Sequence, residues 1–116
     1  PYFRLAEMHM IKAEALNELG RTAEAIAILN QLRARAFEPD KPLPTTMSQA
    51  QTRNAILSER LFEFAGEAKR RQDLIRLGGL PGVTRSYTGA RQFKQQTEPY
   101  KVVFPIPATQ IQNNPL

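Results

Sequence analysis

Apolar residues recur at helical spacing through roughly the first two thirds of the chain and then lose any period. Leu5, Met8, Ala15, Leu16 and Leu19 repeat near 3.6, which predicts a helix over about residues 2–19 with that stripe facing the core. Gly20 follows the last periodic residue, where a left-handed position is wanted. Thr22 is the predicted N-cap of a second helix, striped by Ala25, Ile26, Leu29, Leu32 and Ala36 and ending near residue 36. A link as short as Gly20-Arg21-Thr22 makes these helices antiparallel neighbours. The small residues Ala6, Ala13, Ala15, Ala25 and Ala27 are expected to let them approach closely. One helix–glycine–helix unit of this kind is tetratricopeptide-like.

Pro39, Pro42 and Pro44 block helix and strand alike, so residues 37–47 read as a loop. Ser48 and Gln51 form a capping box that opens a third helix. On it lies the densest stretch of the chain, residues 57–76. Leu57, Leu61, Phe64, Ala65 and Ala68 predict a core-facing stripe. Glu59, Glu63 and Glu67 stack one turn apart on another face. Like charges at that spacing repel by a few tenths of a kcal/mol on an isolated helix, roughly, so cations are expected to arrive from elsewhere. Arg60, Arg70 and Arg76 are local candidates, and folding can bring Arg33 and Arg35. Arg70–Asp73 and Asp73–Arg76 are further expected pairs. Gly66 marks a break or bend before a short fourth helix at about residues 69–77, stopped by Gly78 and Gly79; a continuous helix through Gly66 is the alternative, since one glycine costs only about 1 kcal/mol.

From residue 80 to 99 the pattern is that of a polar, basic loop holding Tyr87 and Phe93. Residues 100–104 read as a short extended segment, closed by Pro105-Ile106-Pro107. Residues 108–112 are expected to form one helical turn, and Asn113-Asn114-Pro115 a turn. The organisation expected is a single domain or fragment over residues 1–116: a helical hairpin at 1–36, central helices at 48–77 and an irregular tail at 78–116. The fold class is all-α.

Composition narrows the chemistry. Forty-one per cent hydrophobic and 23% charged residues match an ordinary globular chain. No apolar run is long enough to cross a bilayer. The absence of cysteine removes disulfides, thiolate chemistry and Cys-based zinc sites. Without an initiator Met or a charged-then-apolar leader, the start at Pro1 reads as an internal cut, which leaves the compartment open. The net charge of +5 is uneven: residues 1–68 hold eight Lys/Arg against nine acids, residues 69–101 eight against two. That asymmetry raises a nucleic-acid reading, but the basic residues are scattered through loop-like sequence or sit beside the central acids. A solvated or partner-facing surface is the expectation.

The acids of the central stretch admit two readings, a carboxylate pair for acid/base catalysis or an ion-pair network pinning helices together. Catalysis needs partners at geometry, and neither a nucleophile nor a metal-ligand cluster accompanies them, so the network is expected. His9 has no second ligand one turn away and reads as a surface or core-edge residue rather than a metal ligand. Gly78, Gly79 and Gly82 lack the Lys-Ser/Thr of a phosphate loop.

Five separated motifs together resemble one family. They are Arg4-Leu5-Ala6-Glu7; the run from Lys12 through Leu19 to Gly20; Ile28-Leu29-Asn30-Gln31-Leu32-Arg33-Ala34-Arg35-Ala36; the central Glu59-Arg60, Glu63, Glu67, Arg70, Asp73-Leu74 and Arg76; and Phe104-Pro105-Ile106-Pro107. In this order and spacing they resemble the C-terminal part of the SusD/RagB family of Bacteroidetes surface glycan-binding lipoproteins. Ala68, Arg71 and Gln72 stand where the family usually has Gly, Trp and Phe.

The resemblance implies tetratricopeptide-like helix pairs within a much longer protein, lipid-anchored at the outer membrane through an N-terminus not in this chain. It implies partnership with a TonB-dependent, SusC-like transporter and capture of oligosaccharide or polysaccharide, with no enzymatic activity; on the residues themselves no cofactor, metal or nucleic acid is expected. It assigns the motif residues to architecture and transporter contact, and names no catalytic or ligand-binding residue. An aromatic loop remains a candidate sugar platform: Tyr87, Phe93 and Tyr100 interleave with Arg85, Arg91, Gln92, Gln95 and Gln96. The structural alternative there is an aromatic tucked into the core. A tetratricopeptide-like protein–protein adaptor is the rival function.

Overall fold

In a computed structural model, residues 4–84 and 98–113 are described, and every regular element among them is helical. Contacts divide the chain into two units, residues 1–86 and residues 87–116. In the first unit α1 (Leu5–Glu18) and α2 (Thr22–Ala36) form a hairpin, α3 (Gln49–Glu63) packs across both, and α4 (Arg70–Leu77) packs on α3.

The hairpin turn follows from one glycine. Gly20 sits at φ +78°; the Arg21 N–H donates to the Leu16 carbonyl at 2.9 Å, and the Gly20 N–H to that of Asn17 at 3.1 Å. These are the paired bonds of a Schellman ending, which satisfy carbonyls left over by the helix. The capping box also forms: the Ser48 hydroxyl accepts from the Gln51 N–H, and the Gln51 side chain accepts from the Ser48 N–H at 2.8 Å. The second helix is capped differently from expectation. Arg21, leaving the glycine turn at φ −89° and ψ 51°, takes the N-cap position, so Thr22 is already helical. Arg21 instead donates to Glu24 at 2.6 Å.

The core gathers Ala6, Met10, Ala13 and Leu16 of α1, Ala25, Ile28 and Leu29 of α2, Ile56 of α3, and Phe64. Leu32, Leu43 and Ala55 pack against it. The buried face of α1 is therefore not the predicted one. Ala6, Met10, Ala13 and Asn17 point inward, whereas Leu5, Met8, Ala15 and Leu19 are exposed and only Leu16 of the expected stripe is buried. The cause is that α1 is apolar on two sides. Close approach of the hairpin relies on Ala6, Ala13 and Ala25, while Ala15 and Ala27 lie outside it. On α2 the expected Ala25, Ile26 and Leu29 are buried and Ala36 is exposed.

The third helix stops at Glu63, earlier than a stripe running to Ala68 requires. Gly66 adopts φ +81° and Ala68 φ +58°, so the chain turns between α3 and α4. Leu57 and Phe64 are buried as expected, Leu61 is half-buried, and Ala65 and Ala68 are exposed.

Three asparagines pin the connections by amide-to-backbone bonds. Asn17 Nδ2 donates to the Gln49 carbonyl at 3.1 Å while Gln49 Nε2 donates to that of Asn17 at 2.7 Å. Asn30 bonds both backbone groups of Leu43 in the proline loop, at 3.1 and 2.7 Å. Asn54 donates to the Gly82 carbonyl at 2.7 Å and accepts from the Thr84 N–H at 2.9 Å.

The second unit contains a short 3-10 helix, Pro99–Val102, and α5, Ala108–Asn113. The predicted extended segment at 100–104 is thus a helical turn at its start. Pro99 occupies the first helical position, where its fixed φ favours a helical turn. The chain becomes extended at Val103, φ −88° and ψ 140°. The turn foreseen at 113–115 has Asn113 in α5, and its other residues lie outside those described.

Candidate functional site

The charged residues of the central stretch converge on the end of α3. Glu59 pairs with Arg33 of α2, and Glu63 takes two bonds from Arg35 Nη2, at 2.8 and 2.7 Å. Both cations come from the earlier segment, as the spacing of the acids requires. Arg4, just ahead of α1, joins them: its Nη1 reaches Glu63 at 3.1 Å and its Nη2 reaches Glu67 at 2.6 Å. Glu67 therefore belongs to the same network although it lies beyond the helix. These bonds raise the pKa of the Arg4 guanidinium, the hydrogen bond to Glu67 being the largest cause.

Phe64 is the centre of this arrangement. Its buried ring has Arg60 at 5.1 Å, Arg4 at 5.3 Å and Lys69 at 5.5 Å from the centroid. All three lie over the ring within cation–π range. Each cation is also matched to an acid: Arg4 to Glu63 and Glu67, Arg60 to Asp73, and Lys69 to Glu7. Of the local cations named from sequence, Arg60 and Arg76 serve Asp73, and Arg76 also pairs with Glu14. Arg70 donates to the Leu57 carbonyl at 2.7 Å.

A cleft of about 310 Å³ opens between α1 and α4, walled by Glu7, Glu14, Glu18, Asp73 and Arg76 with Arg60 beneath. Its carboxylates are already engaged: Glu7 by Lys69, Glu14 by Arg76, Glu18 by Arg53 and Asp73 by Arg60. Hydrogen bonding from Arg53 is the largest of the effects that hold the Glu18 carboxyl below the usual carboxylate range. Charges arranged in mutual pairs cross-link helices. General acid/base work needs a carboxylate facing a reacting group.

His9 is half-buried on α1, and among the described residues no group of acids and histidines is arranged to hold a metal. Tyr100, on the 3-10 helix, is exposed. Its companions in the proposed aromatic platform, Tyr87, Phe93, Arg85, Arg91, Gln92, Gln95 and Gln96, lie outside the described residues. Sequence reasoning missed Arg4, Glu7 and Lys69 as members of the network. Their partners lie some sixty positions away, and only the stacked, uncompensated acids signalled that something must arrive.

Among the described residues no helix is long and apolar enough to cross a membrane. The sequence profile of the SusD family matches residues 1–116. The SusD-like protein P25 of Formosa agariphila is 39% identical over 117 residues, covering 98% of this chain and 22% of that protein. The starch-binding protein SusD of Bacteroides thetaiotaomicron is 33% identical over 118 residues, 98% of this chain and 20% of its own length. This chain thus spans about a fifth of the length of the curated relatives it matches. No solved structure matches it. With a profile match from end to end and relatives 39% and 33% identical across 98% of it, the chain belongs to the SusD family.

Proposed function

We propose that these residues form the helical C-terminal region of a longer cell-surface nutrient-binding protein, which captures oligosaccharide for a TonB-dependent outer-membrane transporter. This region acts mainly as scaffold and transporter contact. The longer protein is lipid-anchored at its N-terminus, binds glycan without chemistry and makes no use of nucleic acid. The observation that carries the reading is the fate of the central charges. Glu59, Glu63 and Glu67 are spent on cations from earlier segments, and Asp73 on Arg60 of α3, which supports an architectural role for the motif that marks the family. The starch in one relative's name makes α-glucan a first candidate ligand.

Affinity electrophoresis against a polysaccharide panel that includes starch tests this, with the longer protein and the 116-residue chain run side by side. Retardation of the longer protein alone is expected. Retardation of both relocates binding to this chain, with the loop around Tyr87 and Tyr100 as the place to mutate. Retardation of neither, together with a soluble protein partner, favours the adaptor function.

A further inference from the structure

A second cavity, of about 350 Å³, opens at the end of α3. Its walls are carbon at Leu61, Phe64, Ala65 and Ala68, and guanidinium at Arg60 and Arg70. None of the described residues that wall it carries a carboxylate. Arg60 is 5% exposed and lies over the Phe64 ring, 5.1 Å from its centroid. Its Nε is committed to Asp73 at 2.9 Å, but its Nη1 is buried and meets no acceptor. A buried N–H left without an acceptor is costly, and more so on a charged group. Arg60 also borders the cleft between α1 and α4, which holds Glu7, Glu14, Glu18 and Asp73. A guanidinium N–H turned toward four carboxylates would find one, so the unpaired Nη1 belongs to the acid-free cavity. The helix α4 begins at Arg70, which places the positive end of its dipole at the same cavity.

The geometry points to a binding site for a small organic carboxylate at the end of α3, with Arg60 Nη1 as a donor to it. That the ligand is an anion follows from the guanidinium groups, and that it is a carboxylate follows from the carbon walls. Phosphate or sulfate bears oxygens on every side and would turn some of them against Leu61, Phe64 and Ala65, where nothing solvates them. A carboxylate presents its oxygens at one end, which planar guanidinium groups match, and its carbon body suits the remaining walls. The Arg70 side chain is fixed in its place by donating to the Leu57 carbonyl at 2.7 Å. The ligand is not the captured polysaccharide, and the proposal does not rest on glycan capture, so its test has no sugar in it.

Benzoate is the probe, and benzyl alcohol, of similar shape without the charge, is its control. Each is titrated calorimetrically into the full-length protein at constant ionic strength, and sulfate likewise. Benzoate is expected to bind at least about tenfold more tightly than either benzyl alcohol or sulfate. Ala65→Trp, at an exposed position in the wall, narrows the cavity and keeps both arginines. It should weaken benzoate at least about tenfold, with melting of the variant measured alone to confirm folding. Equal binding of benzoate and benzyl alcohol overturns the proposal, because the cavity is then only apolar. Sulfate as tight as benzoate overturns the choice of carboxylate. Absence of benzoate binding overturns the site, as does benzoate binding that survives Ala65→Trp in a folded protein, since the ion is then held elsewhere. Should the variant not fold, the three titrations of the native protein still decide. A polysaccharide result of either sign leaves these measurements unaffected.

Discussion

The guanidinium of Arg60 donates from Nε to Asp73 Oδ2 at 2.9 Å, with the two side chains 5% and 3% exposed. The pair links α3 to α4 across the turn that contains Gly66 and Ala68. Arg60 also lies against Phe64, and Asp73 also meets Arg76 at 3.4 Å. Two charges taken out of water in this way specify how the helices sit more than they add stability.

Removing one partner should therefore cost far more than removing both. Asp73→Ala leaves the buried Arg60 charge uncompensated and is expected to destabilise by about 3–5 kcal/mol. The double variant Arg60→Met with Asp73→Leu should recover most of that loss. Urea unfolding of the three proteins checks it, and a double variant as unstable as Asp73→Ala would show that the ion pair itself, not the stranded charge, supplies the stability.

Ala68 has φ +58°, in the region that favours glycine, and stands where the family pattern usually carries glycine. An L-residue held there costs about 1–2 kcal/mol, part of which glycine returns through a more flexible unfolded chain. Ala68→Gly is expected to stabilise by about 0.5–1 kcal/mol, read as a higher denaturation midpoint. A lower midpoint would mean that the turn before α4 does not hold this conformation.

Arg53 bonds Glu18 at 2.7 Å and also donates to the Pro81 carbonyl at 3.0 Å. The Glu18 pKa is lowered from its ordinary 4.5 by the hydrogen bond from Arg53 first and then by the Arg53 charge, against the opposing effect of partial burial. A carboxylate whose pKa is lower folded than unfolded contributes stability above the unfolded value and loses it as pH falls through the folded one. The stability difference between the native chain and Arg53→Gln should thus be constant near neutrality and shrink as pH falls below about 4.5. What persists in acid is the contact with Pro81. A difference unchanged between about pH 7 and pH 3 would remove Glu18 from the account.

Signals that act within a few residues were legible in the sequence. The left-handed Gly20 ending, the Ser48–Gln51 box and the break at Gly66 are each set by local backbone chemistry, and each appears where expected. The faces of α1 were not legible, because a helix with two apolar flanks gives no preferred side, and because buried Glu7 and Asn17 disguise the true core face as polar. The acids of the network announced themselves through mutual repulsion, and Arg33 and Arg35 were nameable as cations on the helix that precedes α3. Arg4 was not, since a lone arginine ahead of a helix carries no mark of a partner beyond α3. The three asparagine clamps were equally silent, as an asparagine's backbone partner depends on which loop folds over it.

The central claim is that the family motif holds helices together and does not touch ligand. Glu63→Ala in the full-length protein tests it most directly, because Glu63 meets both Arg4 and Arg35. Calorimetric melting and affinity electrophoresis on the best-retarded polysaccharide are run on the same preparation. The expected result is a lower melting temperature, from a loss of about 1–2 kcal/mol, with retardation of the folded protein unchanged. A variant that melts like the native protein yet no longer binds the polysaccharide would contradict the scaffold role and place the ligand at the end of α3.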